Sequence, residues 1–462
     1  MKPRITELPY VADSSELFTG LSKRTWCVFL DSGHPATQYG RYDILAADPY
    51  LTLTTRGDTT TISSRDGEEC SSRDPFMLLK RCLGEVKQDE MDLPFCGGAI
   101  GYFAYDLGRR IESLPEATIQ DVNLPDMAVG LYDWAVVVDH KEKRAWLVGQ
   151  GRDQRTFDEW TQLEDMNQSP SSSRGDNPFT VLSAVSSNMN RDDYARAFRR
   201  VKQYIRDGDC YQVNLAQRFS VNVEGDLWDA YVQLRGLNPA PFAAFFQIQD
   251  GAVLSSSPER FLSVRNRRVE TKPVKGTRPR SAYRRRDVSL AEELQKSSKD
   301  RAENVMIVDL LRNDLGKTCT PGTVEVPKLF ALESFATVHH LVSTVTGQLA
   351  SGQHALDLLR GCFPGGSITG APKVRAMEII EELEPHRRSV YCGAMGYIGF
   401  NGDMDTNIAI RTLVFDECRM HCWAGGGIVA DSSLEGEYQE TFDKAAALLK
   451  LFEQKEVQRV GS

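Results

Sequence analysis

The chain has 462 residues, of which 41% are hydrophobic and 26% are charged, and its formal net charge is −9. This composition is typical of a soluble globular protein with a sizeable core, and the acidic balance argues against nucleic acid as the main partner. No apolar run approaches the roughly 18 residues that span a bilayer, and the start of the chain has no signal-peptide pattern, so we expect a cytoplasmic protein with no membrane partner.

The first part of the chain is predicted to form strands. The apolar runs "WCVFL", "LTLTT" and "WAVVVD" are bounded by turn residues, as strands are. The stretch "GGAIGYFAYDLGRR" at 97–110 predicts a strand that passes into a helical turn. A polar segment at 164–178, rich in Ser, Pro and Gly, has the composition of a linker. It separates an N-terminal region, 1–165, from a C-terminal region, 188–462.

The second part alternates helices with strands. Asn190 can cap a helix that ends at Gly208, and the other predicted helices cover 299–314, 371–385 and 435–454. The runs that predict strands are "FAAFFQI", "AVLSSS", "GAMGYIGF", "TNIAIRTLVF" and "CWAGGGIVA". Because there is no regular βαβ order, the pattern favours an α+β fold of antiparallel sheets edged by helices.

Two stretches carry groups suited to acid–base or nucleophilic chemistry. Glu259, in "SSSPERF", follows an apolar strand, where a carboxyl group can have a raised pKa and act as a general acid or base. The alternative is a surface ion pair with Arg260. Lys275, in "TKPVKGTRPR", has cationic neighbours that would lower the pKa of its amine and make it a nucleophile. The alternative is a solvated basic loop, which is also the prediction for "RSAYRRRD" at 280–287.

Carboxylates on two predicted helices form a candidate metal site. Glu303 lies on one helix, and Glu437 and Glu440 lie three residues apart on another, so that both point the same way. Oxygen ligands from two helices suit Mg²⁺, which shares them with a substrate. The alternative is an ordinary surface pair between Glu440 and Lys444, four residues apart.

Two glycine-rich stretches are candidate ligand loops. "FPGGSITGAPKVRAM" at 363–377 leads into a helix start, whose free N–H groups bind anions. "AGGGIVADSS" at 424–433 lets the backbone approach a ligand closely. The first stretch is not a Walker A loop, because no Ser or Thr follows its lysine. We therefore expect a carboxylate ligand rather than a nucleotide phosphate.

In combination, these stretches resemble the chorismate-utilising enzyme family. The resemblance covers nearly the whole chain, and the motifs that carry it, in the family's order, are "SPERF", "PVKGTRPR", "DRAENVMIVDLLRNDLG", "HHLVSTVTG", "FPGGSITGAPKVRAMEII", "GYIGF", "IAIRT", "AGGGIVADS" and "EYQETFDKA". The early "LDSGHPATQYGRYDI" resembles the N-terminal signature of the anthranilate and aminodeoxychorismate synthases. The resemblance implies a two-lobed β-sandwich of large antiparallel sheets flanked by helices. Both halves of the chain contribute to it, so 164–178 becomes a loop rather than a domain boundary.

Within this family, the residue before the Gly-Thr pair separates the branches. Anthranilate synthases and isochorismate-forming members usually have alanine there, whereas bacterial aminodeoxychorismate synthases have lysine, as this chain does at Lys275. Isochorismate-forming members also carry a water-activating lysine where this chain has Gln212. The resemblance therefore implies amination of chorismate at C4, which serves 4-aminobenzoate and folate biosynthesis.

The resemblance also implies roles for single residues. Lys275 attacks C2 of chorismate as the C4 hydroxyl leaves, Glu259 protonates that hydroxyl, and ammonia then enters at C4 and expels the lysine. The implied cofactor is Mg²⁺, with Glu303 and Glu440 as ligands and Glu437 alongside. The positions implied to bind chorismate are Gly276, Thr277, His340, Ser367, Tyr397, Arg411, Gly425, Gly426, Gly427 and Lys444.

Two further ligands or partners follow from the resemblance. The chain shows no glutaminase stretch, so a separate glutamine amidotransferase subunit is implied as the source of ammonia. The family's N-terminal half often binds tryptophan, and the residues that match that pocket are Ser32, Tyr39, Gly40, Arg41, Tyr42, Pro241, Phe242 and Ala243. Two other identities stay open, namely the large component of an anthranilate synthase and a non-catalytic homologue that senses tryptophan.

Overall fold

The computed structural model describes residues 3–37, 40–86, 92–168, 177–334 and 338–453. Two large antiparallel sheets pack face to face, and helices cover their outer sides. The predicted fold class is therefore confirmed. None of the helices within these ranges is long and apolar enough to cross a membrane.

The strands follow one another along both halves of the chain. They are β1 (Arg4–Leu8), β2 (Val28–Asp31), β3 (Tyr42–Ala46), β4 (Leu51–Arg56), β5 (Thr59–Ser64), β6 (Gly67–Ser71), β7 (Gly98–Phe103), β8 (Met127–Tyr132), β9 (Trp134–Asp139), β10 (Arg144–Gly149), β11 (Thr180–Val181), β12 (Ser186–Ser187), β13 (Gln212–Glu224), β14 (Phe242–Ile248), β15 (Gly251–Ser257), β16 (Arg260–Arg265), β17 (Arg268–Thr271), β18 (Val274–Pro279), β19 (Glu325–Ser334), β20 (Val338–Gln348), β21 (Gly370–Ala371), β22 (Ala394–Gly399), β23 (Met404–Ile408), β24 (Thr412–Asp416) and β25 (Arg419–Ile428).

The helices lie mostly in the second half. They are α1 (Ser15–Leu21), α2 (Pro75–Leu83), α3 (Gln154–Asp158), α4 (Trp160–Gln168), α5 (Arg191–Asp207), α6 (Leu227–Leu237), α7 (Arg284–Lys296), α8 (Ser298–Gly316), α9 (Ala355–Cys362), α10 (Lys373–Leu383) and α11 (Leu434–Phe452). Two 3-10 helices add Tyr105–Arg110 and Gly366–Ile368.

Both sheets contain strands from both halves of the chain. The first sheet has the order β1-β10-β9-β3-β2-β14-β15-β24-β25-β13-β11, with β12 and β21 also paired to β13. The second has the order β18-β20-β17-β16-β23-β22-β7-β8-β4-β5-β6, with β19 paired to β20. Because β2 pairs with β14 and β7 pairs with β22, the regions 1–165 and 188–462 share each sheet.

Residue alternation explains why β9 is apolar along its whole length. Ala135 and Val137 belong to the core between the two sheets, whereas Trp134, Val136 and Val138 pack in the core beneath the outer helices. Neighbouring residues on a strand point to opposite faces. One continuous apolar run therefore contributes to two hydrophobic cores.

Helix α5 has the predicted ends. The Asn190 side chain accepts hydrogen bonds from the backbone N–H groups of Asp192 and Asp193, and the Asp193 carboxylate accepts one from the Asn190 N–H. This reciprocal pair satisfies donors that the first helical turn leaves free. Gly208 ends the helix in the left-handed conformation, with φ of 83°.

Two predicted elements of the second half differ from the structure. Helix α10 begins at Lys373 rather than at 371, because Gly370 and Ala371 pair with β13 as the short strand β21. The predicted strand at 406–415 is divided into β23 and β24. Arg411, between them, has φ of 49°, which lies outside the conformations of a continuous strand.

The predicted basic loop at 280–287 is wrong in its second half, where α7 begins at Arg284. The Asp287 carboxylate, in the first turn of this helix, accepts hydrogen bonds from the Arg280 side chain at 2.9 Å and from the Ser281 N–H at 2.9 Å. These contacts hold residues 280 and 281 against the first turn of α7. They involve polar groups, so the hydrophobic periodicity of the sequence does not reveal them.

Candidate active site

Lys275 lies on strand β18, at a bulge, rather than in the predicted loop. The register with β20 shifts between Val274 and Thr277, which is the mark of a β-bulge. Gly276 takes φ of 88° there, and a Cβ on it would meet the Asp300 side chain at 2.9 Å. The backbone that presents Lys275 therefore requires the glycine that follows it.

The amine of Lys275 points to the glycine-rich loop before α10. Its Nζ donates a hydrogen bond to the Ser367 carbonyl oxygen at 2.9 Å. Burial lowers the pKa of Lys275, and the Lys444 cation lowers it further, while the Glu259 carboxylate opposes the change. A lysine with a lowered pKa is more often neutral and therefore nucleophilic. This environment supports the reactive alternative over the solvated loop.

Glu259 lies in the turn between β15 and β16 and is 8% exposed. Its Oε1 accepts a hydrogen bond from the Ser367 hydroxyl at 3.2 Å. Burial raises the pKa of Glu259, and the nearby Lys275 opposes the rise. The alternative of a surface pair with Arg260 is wrong, because the Arg260 guanidinium binds Asp405 at 2.8 Å and Glu270 at 3.2 Å.

Ser367 connects the two candidate catalytic groups. Its carbonyl oxygen accepts a hydrogen bond from the Lys275 amine, and its hydroxyl donates one to the Glu259 carboxyl group. Ser367 lies in the 3-10 helix Gly366–Ile368 and is itself buried. A buried acid and a buried amine held by one residue have the pKa shifts that proton transfer and nucleophilic attack require.

The predicted metal carboxylates lie close to Lys275. The electrostatic fields of Glu303 and Glu440 both act on the Lys275 amine. Burial raises the pKa of Glu303 and of Glu437, and the charge of Glu440 adds to the rise at both. The alternative pair also exists, because Lys444 Nζ lies 2.7 Å from Glu440 Oε1. The ion pair and the carboxylate cluster therefore coexist.

Unmet hydrogen-bonding capacity in this cluster fits a hard cation. Glu437 Oε1 accepts from the Ser432 hydroxyl at 2.6 Å, but the buried Oε2 has no hydrogen-bond partner in the part of the chain that is described. This Oε2 lies 2.6 Å from the position a Cβ on Gly426 would take. Among the described residues, no group of three His, Cys, Asp or Glu side chains is arranged to hold a metal ion. A Mg²⁺ ion at this cluster would therefore need substrate oxygens beside one or two carboxylates.

Gly425 and Gly427 make room for polar side chains on one face of β25. A Cβ on Gly425 would lie 2.7 Å from Asn214 Oδ1, and a Cβ on Gly427 would lie 2.9 Å from the Gln212 amide nitrogen. The Gly425 carbonyl accepts a hydrogen bond from Lys444 Nζ at 2.8 Å. A side chain at either glycine would displace one of the two amide groups.

Three predicted substrate residues supply donors or positive charge. Thr277 Oγ1 and His340 Nδ1 are 2.9 Å apart. Burial and the Arg411 charge lower the pKa of His340 to about 4, so its imidazole is neutral at neutral pH. Burial lowers the pKa of Arg411, and no carboxylate opposes that shift among the residues described. A half-buried guanidinium with no carboxylate partner among the described residues suits an anionic ligand.

Tyr397 does not join this group. It lines a separate cavity of about 470 Å³, together with Arg260, Arg265 and Asp405. Burial and the Asp405 charge raise the pKa of its hydroxyl. The predicted contact of Tyr397 with chorismate therefore has no support from its position.

The same cavity contains the residues predicted to bind tryptophan. Those that line it are Ser32, Gly40, Arg41, Tyr42, Pro241, Phe242 and Ala243. The eighth, Tyr39, lies outside the described residues. The cavity wall combines apolar side chains with charged ones from both sheets, such as Asp31 and Arg260, so it can receive a ligand that is part apolar and part zwitterionic.

The sequence analysis missed Asn214. Its Oδ1 is buried without a hydrogen-bond partner in the described part of the chain, as are both polar atoms of the Gln212 side chain. Unpartnered buried polar atoms are uncommon and mark a surface that awaits a ligand or water. A signal was present, because Gln212 and Asn214 alternate with Val213 and Leu215 and so face one side of β13.

Comparison with known proteins finds matches over most of this chain. The pattern of the chorismate binding enzyme family matches residues 26–450 of this chain. The chain is 50% identical to aminodeoxychorismate synthase component 1 of Escherichia coli (strain K12), over 98% of this chain and 99% of that protein. It is 49% identical to the protein of the same name from Salmonella typhimurium, over 97% of this chain and 98% of the relative. The crystal structure of anthranilate synthase component I from Streptococcus pneumoniae TIGR4 matches with a TM-score of 0.79 at 34% identity, over 88% of this chain and 92% of that one.

Proposed function

This chain belongs to the family of chorismate binding enzymes, as its motifs predicted, and from this membership we propose that it converts chorismate and ammonia to 4-amino-4-deoxychorismate. The observation that carries the proposal is the half-buried amine of Lys275, held between the Ser367 carbonyl and the field of Glu259. An amine in this position can bond to the substrate, whereas the alanine of the other branches cannot. The names of the relatives with 49% and 50% identity agree with this reaction.

The first step forms one bond and breaks another. The neutral Lys275 amine attacks C2 of chorismate, the ring double bonds shift, and the C4–O bond breaks. Protonated Glu259 donates its proton to the departing hydroxyl, which leaves as water. The raised pKa of Glu259 keeps it protonated at a pH where an ordinary glutamate is ionised, and the lowered pKa of Lys275 keeps its amine available.

The second step reverses the electron flow. Ammonia adds at C4, the double bonds shift back, and the C2–N bond breaks, so that Lys275 returns as a neutral amine. The Glu259 carboxylate then recovers a proton from the new ammonium group or from water. The enolpyruvyl group stays on the product, and its removal to give 4-aminobenzoate requires a separate lyase.

Charged and polar residues around Lys275 would orient the chorismate dianion. Arg411, which lacks a carboxylate partner among the described residues, and Lys444 are placed to face its carboxylates. The neutral His340 and the Thr277 hydroxyl add directional hydrogen bonds. Fixing the reacting ring carbon near the amine supplies a large share of the barrier reduction in reactions of this kind.

The residues that would hold Mg²⁺ are Glu303 and Glu440, with Glu437 beside them. The unpartnered Glu437 Oε2 and the mutual repulsion among these carboxylates support this assignment. When bound, the ion would neutralise negative charge on the substrate carboxylate.

Glu303→Gln and Glu440→Gln should each raise the Mg²⁺ concentration needed for half-maximal amination, because each keeps its shape but loses a charge that the ion requires. Thermal stability should hold or rise for Glu303→Gln, since burial disfavours its charged form. The measurement is a Mg²⁺ titration of the initial rate. The control is Glu435→Gln on the same helix, whose side chain is 70% exposed and pairs with Arg191. If both variants show the same Mg²⁺ dependence as wild type, these carboxylates do not bind the ion and only form surface ion pairs.

We further propose that ammonia comes from a separate glutamine amidotransferase subunit. The isolated chain should aminate chorismate with ammonium salts and Mg²⁺ but not with glutamine. Its rate should rise with pH at first, because free NH₃ is the nucleophile and ammonium is not. Mass spectrometry identifies the product. Formation of anthranilate and pyruvate would indicate the anthranilate synthase reaction, and no turnover at all would indicate a non-catalytic homologue.

We also propose that the cavity lined by Tyr397, Arg41 and Phe242 binds tryptophan. Its volume of about 470 Å³ suits one amino acid with a large side chain, and its wall combines apolar residues such as Pro241 and Phe242 with charged ones such as Arg41. Calorimetric titration tests this directly. Heat of binding with tryptophan but not with alanine is expected, and no heat with either, in protein shown to be free of bound tryptophan, would contradict it.

A further inference from the structure

The loop between α9 and α10 carries Ser367 and is held at several points. Its Gly370 and Ala371 pair with β13, and its Ile368 carbonyl accepts a hydrogen bond from the Arg388 side chain at 3.1 Å. It runs from Phe363 to Pro372 and is the motif that resembles, but does not match, a phosphate-binding loop. Its lysine, Lys373, is the first residue of α10. Because no nucleotide phosphate is expected here, the role of this lysine has to be found in its contacts.

Lys373 joins the two ends of the loop to helix α8. Its Nζ donates to the Asp314 carboxylate at 2.7 Å and to the Cys362 carbonyl at 2.7 Å. Cys362 is the last residue before the loop and Lys373 is the first after it, so a single amine closes the loop at its base. The Lys373 and Asp314 side chains are 11% and 2% exposed, and an ion pair at this depth is costly to break from one side.

The tip of the loop rests on the same helix. A Cβ on Gly366 would overlap the side chain of Leu310 on α8, so glycine is needed for this close contact. Leu310 and Asp314 are four residues apart and therefore share one face of the helix. Glu303 lies two turns before Leu310 on that face, about 16 Å along the axis from Asp314 at 1.5 Å per residue. Helix α8 therefore positions both the loop that carries Ser367 and the predicted metal ligand Glu303.

We propose that Lys373, through Asp314, is a positioning residue that holds Ser367 against Lys275 and Glu259. This inference rests on the proposed function, because Ser367 is taken to position the two groups that act in that reaction. Ser367 touches both catalytic groups, and Lys373 touches neither. The hydrogen bond from Lys373 to the Cys362 carbonyl holds the first residue of the loop near its last. The ion pair with Asp314 fixes the position of the loop along α8.

The kinetic test compares Lys373→Met and Asp314→Asn with wild type. Each variant should lower kcat for amination by about 10²-fold, the cost of a misplacement of roughly 1 Å near reacting groups, while the KM for chorismate changes only a few-fold. The matched control is Lys317→Met. Lys317 pairs with the same Asp314 carboxylate at 2.9 Å, but its side chain is 51% exposed, so kcat should stay within about twofold of wild type.

A second readout does not depend on turnover. The chain is treated briefly with an acetylating reagent, N-hydroxysuccinimidyl acetate, and the modified lysines are quantified by peptide mass spectrometry. In Lys373→Met and Asp314→Asn, acetylation of Lys275 should accelerate by about tenfold relative to Lys202, because the Ser367 carbonyl no longer occupies the amine and the loop opens locally. Lys202 binds the Val429 and Ser432 carbonyls on a different part of the molecule.

These two readouts separate the possible failures. If the wild-type chain does not aminate chorismate, the proposed function fails, and the acetylation rates still decide whether Lys373 holds the loop. Unchanged acetylation of Lys275 in both variants would overturn the inference, and so would a kcat within about threefold of wild type in both. Equal acceleration at Lys275 and Lys202, or equal loss of kcat in Lys317→Met, would show general loosening and would also overturn it.

Discussion

Replacing Lys275 by alanine is expected to remove most of the amination of chorismate while the fold is kept. Loss of an acid–base group costs about 10²–10⁴-fold in rate, and loss of a covalent route should reach at least that range. Thermal stability should hold or rise at neutral pH. Burial lowers the folded-state pKa of Lys275 below its unfolded value, so its charged form is disfavoured in the fold and the chain gains stability as pH rises through the folded pKa.

Two companion variants separate the possible roles of this amine. Lys275→Arg keeps a positive charge, but a guanidinium cannot become a neutral nucleophile at any working pH, so it should be as inactive as Lys275→Ala. Lys272→Ala removes a cation three residues away and should keep a rate near that of wild type. Activity of Lys275→Arg close to wild type would mean that the lysine acts only through its charge.

Glu259→Gln is expected to lower the amination rate by about 10²–10⁴-fold, because an amide cannot donate a proton to the departing hydroxyl. The stability should hold or rise at neutral pH. Burial raises the folded-state pKa of Glu259, so its contribution to stability is present at low pH and is lost as pH rises through the folded pKa. The uncharged amide avoids that loss.

The pH profile gives a second readout of the same assignment. The wild-type rate should fall at low pH as Lys275 becomes protonated, and at high pH as Glu259 loses its proton. In Glu259→Gln, the residual rate should lack the fall at high pH that belongs to this carboxyl group. The control is Glu270→Gln, which removes a carboxylate bound to Arg260 on the neighbouring strand. An unchanged profile in Glu259→Gln would place the acid elsewhere.

Local patterns in the sequence predicted a good part of the fold. The cap at Asn190 and the stop at Gly208 are set by nearest neighbours along the chain, and the structure has both. The apolar run 134–139 indicated a strand for the same reason. By contrast, the bulge at Gly276 depends on partners that are distant in sequence, namely β20 and α8. The start of α7 at Arg284 depends on the side-chain contacts of Asp287, and no local hydrophobic period reveals either feature.

The site residues were predicted from shared motifs, and a motif does not show which way a side chain points. Tyr397 lies in the motif "GYIGF", and it lines the other cavity. Lys373 also lies in one of the quoted motifs, whereas Asn214 lies in none, and the roles of both depend on the partners of their side chains. The unpaired Asn214 Oδ1 and the paired Lys373 amine look alike in sequence as polar residues next to apolar ones, and only the packed structure distinguishes them.

If Lys275 bonds to the substrate before ammonia enters, the covalent intermediate should accumulate when ammonia is left out. The wild-type chain is mixed with chorismate and Mg²⁺ without any ammonia, quenched in acid, digested and analysed by mass spectrometry. The peptide containing Lys275 is expected to gain the mass of chorismate less one water, and added ammonium should remove this adduct while 4-amino-4-deoxychorismate appears. Amination at the normal rate with no adduct on Lys275 at any time, or an adduct that ammonium does not consume, would contradict it.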